Sequence, residues 1–219
     1  MTARAVVVTD STACLPPALS QGRGVVVVPL QVVIGSKVYD EGSEGARPAE
    51  VAAALKEFVP VSTSRPSPAA MGEVYEALVA EGAESIIAVH LSSEMSGTYE
   101  SAQLAARDAS VPVITVDSRH VGAATGFAAL AAADALAEGA DAESAAQAAR
   151  QSASQAKSYF YVDTLEYLRR GGRIGPGAAF LGGALSVKPL LEIREGRVAS
   201  LEKVRTSAKA LAQIGRAHV

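Results

Sequence analysis

Short apolar runs alternate with helical segments along most of the chain. The runs at residues 5–9, 85–91 and 111–116 are rich in valine and isoleucine and end in polar loops, as buried parallel strands do. Helices are predicted where apolar residues recur at helical spacing or alanine dominates, at residues 68–81, 98–108, 123–137 and 142–157. The last helix has almost no large apolar residue, which indicates a surface or inter-domain position. The alternation predicts an α/β fold with a mostly parallel sheet.

The region after the first strand has a different pattern. Residues 24–34 form a second valine-rich stretch, and the Gly-Ser pair that follows predicts a hairpin. A helix is predicted at residues 48–58. Two prolines and four hydroxyl residues within residues 59–67 predict irregular structure, ahead of a helix that begins at Pro68 with Ser67 as its N-cap.

The pattern changes again in the last third of the chain. A strand, a short helix and a glycine-rich loop at residues 159–177 precede two β-rich runs, at 190–194 and 198–204, whose Glu-Gly-Arg connection indicates a hairpin. We therefore predict an N-terminal three-layer α/β/α domain at residues 1–157. A smaller C-terminal α+β domain with antiparallel strands is predicted at residues 158–213.

Composition and charge exclude several classes of function. The 219 residues carry a formal net charge of −3 and have no run of lysine or arginine, so the basic surface typical of nucleic-acid binding is missing. One cysteine and three histidines exclude an internal disulfide and predict no metal centre. No secretory pattern opens the sequence and no apolar run approaches the roughly 20 residues of a membrane span. These features predict a cytoplasmic protein with only transient membrane contact.

Hydroxyl residues gather where two predicted helices begin, which predicts an anion site. Ser96 precedes a helix whose first free amides include those of Gly97 and Thr98, and the glycine permits close approach by a ligand. Thr63 and Ser64 lie ahead of a second helix N-terminus, so two helix dipoles favour one negative group. A carboxylate suits this set better than a triphosphate, because no GxxxxGK[ST] sequence is present. The alternative is that these hydroxyls only cap helices.

Arg173 is the candidate ligand-binding residue of the glycine-rich loop at residues 171–177. The loop lacks the spacing of the common nucleotide-binding fingerprints. An arginine in such a loop offers a fork of N–H donors to a carboxylate. The alternative is a solvated inter-domain salt bridge beside an ordinary helix end.

A hydrolase or other enzyme acting on a small carboxylate or ester is the competing hypothesis. Serines are abundant after the predicted strands, but the chemistry also needs a positioned base. His90 lies inside an apolar strand, where a packed core histidine is the commoner role, and His120 is only a sequence neighbour of Asp117 and Ser118. No G-x-S-x-G sequence is present either.

Five segments of the sequence form a distinctive set. They are residues 8–12 (VTDST), 62–67 (STSRPS), 91–99 (LSSEMSGTY), 163–174 (DTLEYLRRGGRI), and 188–190 (KPL) continuing to 202–206 (EKVRT). In this order they resemble the DegV family, which includes the acyl-carrying subunit of bacterial fatty-acid kinase. The resemblance extends to about residue 212, and Arg65 stands where relatives often have glutamine.

The resemblance implies a specific ligand. It implies a long-chain fatty acid whose tail is buried and whose carboxylate is held by hydroxyls between an α/β/α domain and a smaller α+β domain. Carried over to this sequence, those hydroxyls belong to Thr63 or Ser64 and to Ser96, with Arg173 nearby. In the family a separate ATP-dependent kinase subunit phosphorylates the bound acyl group. The resemblance therefore implies a carrier without a cofactor, and not an enzyme.

The resemblance also implies that this sequence is incomplete. The family continues into further strands and a His-Thr-Gly-Pro-Gly segment whose histidine helps to bind the carboxylate, and nothing here matches that segment. We expect the natural residues to end near Ala212 or Gln213. Residues 214–219, with His218, then form a non-native tail that resembles one reading frame of a sequencing adapter. The alternative is a genuine, shortened family member.

Overall fold

The computed structural model describes residues 4–174, 188–204 and 206–216. The chain divides into two compact units, Met1–Gln155 and Ala156–Val219. Among the residues that the structure describes, no helix combines the length and hydropathy that a membrane span requires. The C-terminal His218 and the end of the glycine-rich loop, beyond Ile174, lie outside the described residues.

The first unit alternates strands and helices along the chain. Its strands are β1 (Ala5–Asp10), β2 (Val26–Val28), β3 (Gln31–Ile34), β4 (Lys37–Asp40), β5 (Val61–Ser64), β6 (Ser85–His90) and β7 (Val113–Asp117). Its helices are α1 (Pro17–Gly22), α2 (Pro48–Lys56), α3 (Pro68–Ala80), α4 (Thr98–Asp108), α5 (Ala123–Ala137) and α6 (Ala142–Gln155). Ser67 caps α3 by accepting a hydrogen bond from the Ala70 amide at 3.1 Å, as predicted.

A parallel sheet with the spatial order β2-β1-β6-β7 forms the centre of this unit. Every residue of β6 is buried, so both faces of the sheet are covered along this strand. Buried runs of this kind are typical of parallel strands that lie under helices. The prediction of a mostly parallel sheet is confirmed.

Alternate residues of the parallel strands enter two separate cores. Val7 and Ile87 pack in a cluster with the alanines of α5 and α6. Val8 and Ile86 pack on the opposite face in a cluster with Met71 and with other residues of α3 and α4. Because successive side chains of a strand point to opposite faces, one sheet supplies both cores. The predicted three-layer α/β/α arrangement is confirmed.

The packing of α5 on α6 depends on alanine. Ala128, Ala132, Ala145, Ala146 and Ala149 are all fully buried. The shortage of large apolar residues in α6 indicated a surface or inter-domain helix, but its alanine face packs against α5, β6 and β7. Small side chains allow two helix axes to approach closely, so a buried face needs no large residue.

A second, antiparallel sheet with the order β4-β3-β5 changes two sequence-based expectations. The valine-rich stretch at residues 24–34 is divided, since β2 joins the parallel sheet while β3 joins the second one. The predicted Gly-Ser hairpin joins β3 to β4. The expectation of irregular structure at residues 59–67 is wrong, because β5 pairs with β3 from Val61↔Ile34 to Ser64↔Gln31. The prolines of that segment flank β5 and do not interrupt it.

The second unit contains β8 (Tyr159–Tyr161), α7 (Glu166–Arg170), β9 (Lys188–Arg194), β10 (Arg197–Val204) and α8 (Ser207–Arg216). The three strands form an antiparallel sheet in the order β10-β9-β8, which confirms the predicted hairpin. Its two turn residues, Glu195 and Gly196, both have positive φ, 51° and 81°, as tight hairpin turns require. The adjacent residues Leu190 and Leu191 are both buried, so both faces of β9 are covered.

Two helical glycines give a matched test of this packing. A Cβ atom on Gly126 of α5 would lie 2.6 Å from the backbone oxygen of Ala13, whereas one on Gly72 of α3 would meet no atom within 4 Å. We expect Gly126→Ala to lower the free energy of unfolding by about 1–3 kcal/mol through overpacking. Gly72→Ala should raise it by about 0.5–1 kcal/mol, because alanine favours the helix.

Urea denaturation followed by circular dichroism measures both changes. If Gly126→Ala proved as stabilising as Gly72→Ala, the close contact between α5 and the turn after β1 would be wrong.

Candidate functional site

The parallel strands end in polar residues along one edge of the sheet. β1 ends at Asp10, β6 at His90 and β7 at Asp117. Neighbouring parallel strands place their carboxyl ends at the same edge, so the loops that follow them are adjacent. In open α/β sheets this edge is the usual position of a ligand site.

Asp10 joins the first two of these strand ends. Its Oδ2 accepts hydrogen bonds from Nδ1 of His90 and from the amide of Leu91, each at 3.0 Å. Its Oδ1 accepts one from the amide of Thr12 at 3.1 Å and another from the Thr12 hydroxyl. Both Asp10 and His90 are fully buried. An ionised carboxylate can only accept, so His90 carries its proton on Nδ1.

The charge state of Asp10 follows from opposing effects. Burial raises the pKa of this carboxyl, but the hydrogen bond and charge of His90, with the bonds from Thr12 and Leu91, lower it further than burial raises it. The net effect is a pKa below the ordinary value of 3.8. Asp10 is therefore ionised in the folded protein at neutral pH.

Asp117 fixes the loop that leads from β6 to α4. The hydroxyl of Ser93 donates to Asp117 Oδ2 at 2.6 Å, and the amide of Arg119 donates to Oδ1 at 2.8 Å. The Ser92 amide also bonds to the carbonyl of His120, at 2.8 Å. The loops after β6 and β7 therefore hold one another, and Ser93 is engaged in this structural contact.

Ser96, Gly97 and Thr98 form the start of α4, as predicted. The hydroxyls of Ser96 and Thr98 lie 2.9 Å apart, and the Thr98 amide points to the Ser96 oxygen at 3.3 Å. Thr98 is fully buried, whereas Ser96 and Gly97 are partly exposed. The first amides of a helix have no partner within it, so this end offers N–H groups and a positive dipole beside an accessible hydroxyl.

Thr63 and Ser64 lie at the end of β5, and both are exposed. The next residue, Arg65, links this strand to the start of α4. Its Nη1 donates to the carbonyl oxygen of Gly97 at 3.0 Å and forms an ion pair with Glu100 Oε2 at 2.6 Å. The structure therefore brings together the two hydroxyl segments that the sequence placed at one anion site.

Gly97 leaves room for this contact between the segments. A Cβ atom at position 97 would lie 2.0 Å from Nη1 of Arg65 and 2.7 Å from its Cζ. The guanidinium group thus lies directly on the backbone of Gly97. The sequence predicted that this glycine permits close approach by a ligand, and in the structure it permits the close approach of an arginine.

Arg173 belongs to the second unit, just after α7. Its Nη1 donates to the carbonyl of Gly171 at 2.5 Å, and Gly172 has a φ of 71°. The loop therefore begins as a glycine-rich helix end. The participation of Arg173 in carboxylate binding remains a prediction.

His90 and His120, the two histidines that the structure describes, both have hydrogen-bond partners. His90 pairs with Asp10, and the ring of His120 bonds to the backbone carbonyl of Ala153. The hydroxyl of Ser118 pairs with that of Thr125 at 2.9 Å. Burial lowers the pKa of His120 more than its bond to Ala153 raises it. In the described part of the chain, no cluster of His, Cys, Asp or Glu is suited to hold a metal ion.

Comparison with known proteins defines the class of protein. The DegV family model matches residues 4–217. A DegV domain-containing protein of Streptomyces coelicolor is 47% identical over 214 residues, which cover 98% of this chain and 76% of the relative. The chain therefore belongs to the DegV family.

Solved structures agree with this assignment. A DegV family protein from Thermus thermophilus, described by its fatty acid binding, has a TM-score of 0.90 and 36% identity, covering 98% of this chain and 76% of that one. DegV of Bacillus subtilis, a fatty acid binding protein, has a TM-score of 0.88 and 32% identity, covering 98% and 77%. A DegV family protein from Ruminococcus gnavus, with vaccenic acid, has a TM-score of 0.85 and 25% identity, covering 97% and 77%.

Sequence reasoning missed two features of this edge. It gave Asp10 no role, although Asp10 and His90 end predicted strands that parallel sheets commonly place side by side. It treated Arg65 only as a departure from the family pattern, although Arg65 directly follows the predicted Thr63 and Ser64. A polar residue at a strand end and a charge next to a candidate site were the available signals.

The Asp10 network makes the stability of the protein depend on pH. We expect Asp10→Asn to lower the free energy of unfolding at pH 7 by about 3 kcal/mol, because it replaces a buried carboxylate that accepts hydrogen bonds from His90, Leu91 and Thr12. A lowered pKa in the folded state gives stability that is present above pH 3.8 and is lost as the pH falls through the folded value. The variant should therefore lose less stability than the parent chain as the pH falls below 3.8.

Urea titrations at a series of pH values measure this slope. Asp134→Asn is the control, since Asp134 forms an ion pair with Arg23 in which the two side chains are 53% and 39% exposed. That change should cost less than about 1 kcal/mol. If the free energy of unfolding of Asp10→Asn fell with decreasing pH as steeply as that of the parent chain, the assignment of a lowered pKa to Asp10 would be contradicted.

Proposed function

We propose that this chain is a cytoplasmic carrier that binds one long-chain fatty acid and presents its carboxylate to a separate ATP-dependent kinase subunit. The carboxylate is bound by Thr63, Ser64, Ser96, Gly97 and Thr98, with Arg173 as a further donor. The observation that carries the proposal is the junction between the end of β5 and the start of α4.

The chemistry of this junction suits a carboxylate. Exposed hydroxyls on β5 and the partly exposed Ser96 can donate hydrogen bonds, and the start of α4 adds amides and a positive dipole. Charge-assisted hydrogen bonds of this kind are among the stronger ones in proteins. A phosphate chain would need more donors or a metal ion, and the described residues contain no metal-binding cluster.

The relatives support the class of ligand. The Thermus thermophilus and Bacillus subtilis proteins bind fatty acids, and each resembles this chain at more than 30% identity. Vaccenic acid is the ligand named for the Ruminococcus gnavus protein, which makes it a suitable probe. The kinase partner is proposed from the family resemblance of the sequence.

The hydroxyl groups give a direct test of the carboxylate site. We expect Thr63→Ala and Ser96→Ala each to weaken vaccenic acid binding by about tenfold to a hundredfold, because a hydrogen bond to a charged group contributes roughly 1.5–3 kcal/mol. Calorimetry on delipidated protein measures the Kd. Ser110→Ala is the control, since the Ser110 hydroxyl bonds to Glu76 at 2.7 Å beside the opposite end of β7. Unchanged binding in the Thr63→Ala, Ser96→Ala double variant would place the carboxylate elsewhere.

A second experiment separates a carrier from an enzyme. The purified chain incubated with ATP, Mg²⁺ and vaccenic acid should form no acyl phosphate, because phosphoryl transfer needs a phosphate-binding motif and a held metal ion. Hydroxylamine trapping measures the product. After addition of a DegV-associated fatty-acid kinase subunit, acyl phosphate should form. Acyl phosphate made by the chain alone, free of any kinase, would overturn the carrier proposal.

A further inference from the structure

Arg65 has more N–H donors than its contacts with Gly97 and Glu100 use. Both of its contacts, to the Gly97 carbonyl and to Glu100, use the single nitrogen Nη1. A guanidinium group has five N–H donors, and those on Nε and Nη2 have no hydrogen-bond partner among the residues that the structure describes. The Arg65 side chain as a whole is 43% exposed.

The position of the guanidinium matches the proposed carboxylate site. Arg65 follows Ser64 directly in sequence, and its guanidinium lies against Gly97, the residue that separates Ser96 from Thr98 in the sequence. The positive charge of Arg65 therefore lies at the N-terminal end of α4, where the helix dipole also favours an anion. A planar guanidinium forms paired hydrogen bonds with a carboxylate more readily than other side chains do.

Glu100 supplies a carboxylate that already contacts Arg65, so a ligand carboxylate would compete with it for the same guanidinium. Its carboxylate lies in the first turn of α4, is 64% exposed, and contacts Arg65 at 2.6 Å. An exposed ion pair of this kind contributes little to stability and is easily exchanged. A ligand carboxylate at the start of α4 would share the same arginine.

We propose that Arg65 binds the fatty-acid carboxylate directly and that Glu100 competes with the ligand for it. Arg65 then determines the specificity for a charged head group. Glu100 lowers the affinity for the ligand carboxylate, because it forms an ion pair with the same guanidinium. The inference rests on the proposed function, since it concerns the head-group end of the same site.

The test compares an acid with a neutral analogue of the same tail. Vaccenic acid and vaccenyl alcohol are titrated by calorimetry into the delipidated full chain and its variants. Arg65→Gln should weaken binding of the acid by about fivefold to tenfold and change binding of the alcohol by less than about twofold, because only the acid carries the charge that Arg65 meets. Arg65→Lys should recover part of this loss, since it restores the charge without the planar fork.

Glu100→Gln distinguishes competition from a structural clamp. If Glu100 competes with the ligand, its removal should tighten binding of the acid by about twofold to fivefold. If the Arg65–Glu100 pair only holds the two segments together, Glu100→Gln should weaken binding of the acid and the alcohol alike. Gly97→Ala, which places a Cβ where the guanidinium lies, should repeat the acid-specific loss of Arg65→Gln.

The results distinguish a failure of the proposed function from a failure of the inference about Arg65. A parent chain that binds neither lipid overturns the proposed function itself. A parent chain that binds the acid, with Arg65→Gln equal to it, overturns only the inference about Arg65. Equal weakening of both lipids by Arg65→Gln and Glu100→Gln also overturns the inference, in favour of a clamp.

Discussion

The buried carboxylate of Asp10 is the interaction on which the edge of the parallel sheet depends. Removing a carboxylate from water is costly, and here the cost is offset by hydrogen bonds from Thr12, His90 and Leu91. These bonds fix the turn after β1 to the end of β6, from which the chain continues towards α4. The Asp117 contacts add the end of β7 to the same network. The start of α4 therefore projects from three strand ends that hold one another.

The candidate site combines that fixed helix end with an edge strand of a different sheet. β5 contributes its exposed hydroxyls, and Arg65 connects it to α4 across the backbone of Gly97. The absence of a side chain at Gly97 is a steric condition for this arrangement, because any Cβ there would overlap the guanidinium. A side chain at position 97 would therefore displace the guanidinium of Arg65 from the backbone of α4.

Much of the architecture was predictable because it follows local patterns. Apolar runs mark the strands β1, β6 and β7, capping residues mark the start of α3 at Ser67 and Pro68, and turn residues mark the β9–β10 hairpin. Each of these signals lies within a few positions of its element. β5 was not predictable in this way. Its pairing partner β3 lies about 30 residues earlier in the chain, and the flanking prolines give a local signal for irregular structure. The α5–α6 packing was missed for a similar reason, since alanine carries no local sign of which face is buried.

The sequence by itself determined the fold class, the family and the set of hydroxyl residues from which the candidate site is drawn. These properties depend on residue type and short-range spacing, which a linear pattern records. The tertiary structure alone decided that Asp10 pairs with His90, 80 positions away, and that Arg65 reaches Gly97 and Glu100. Those contacts depend on strand order and on the close approach of separate segments. Long-range geometry of this kind is set by packing, and packing leaves no local pattern in the sequence.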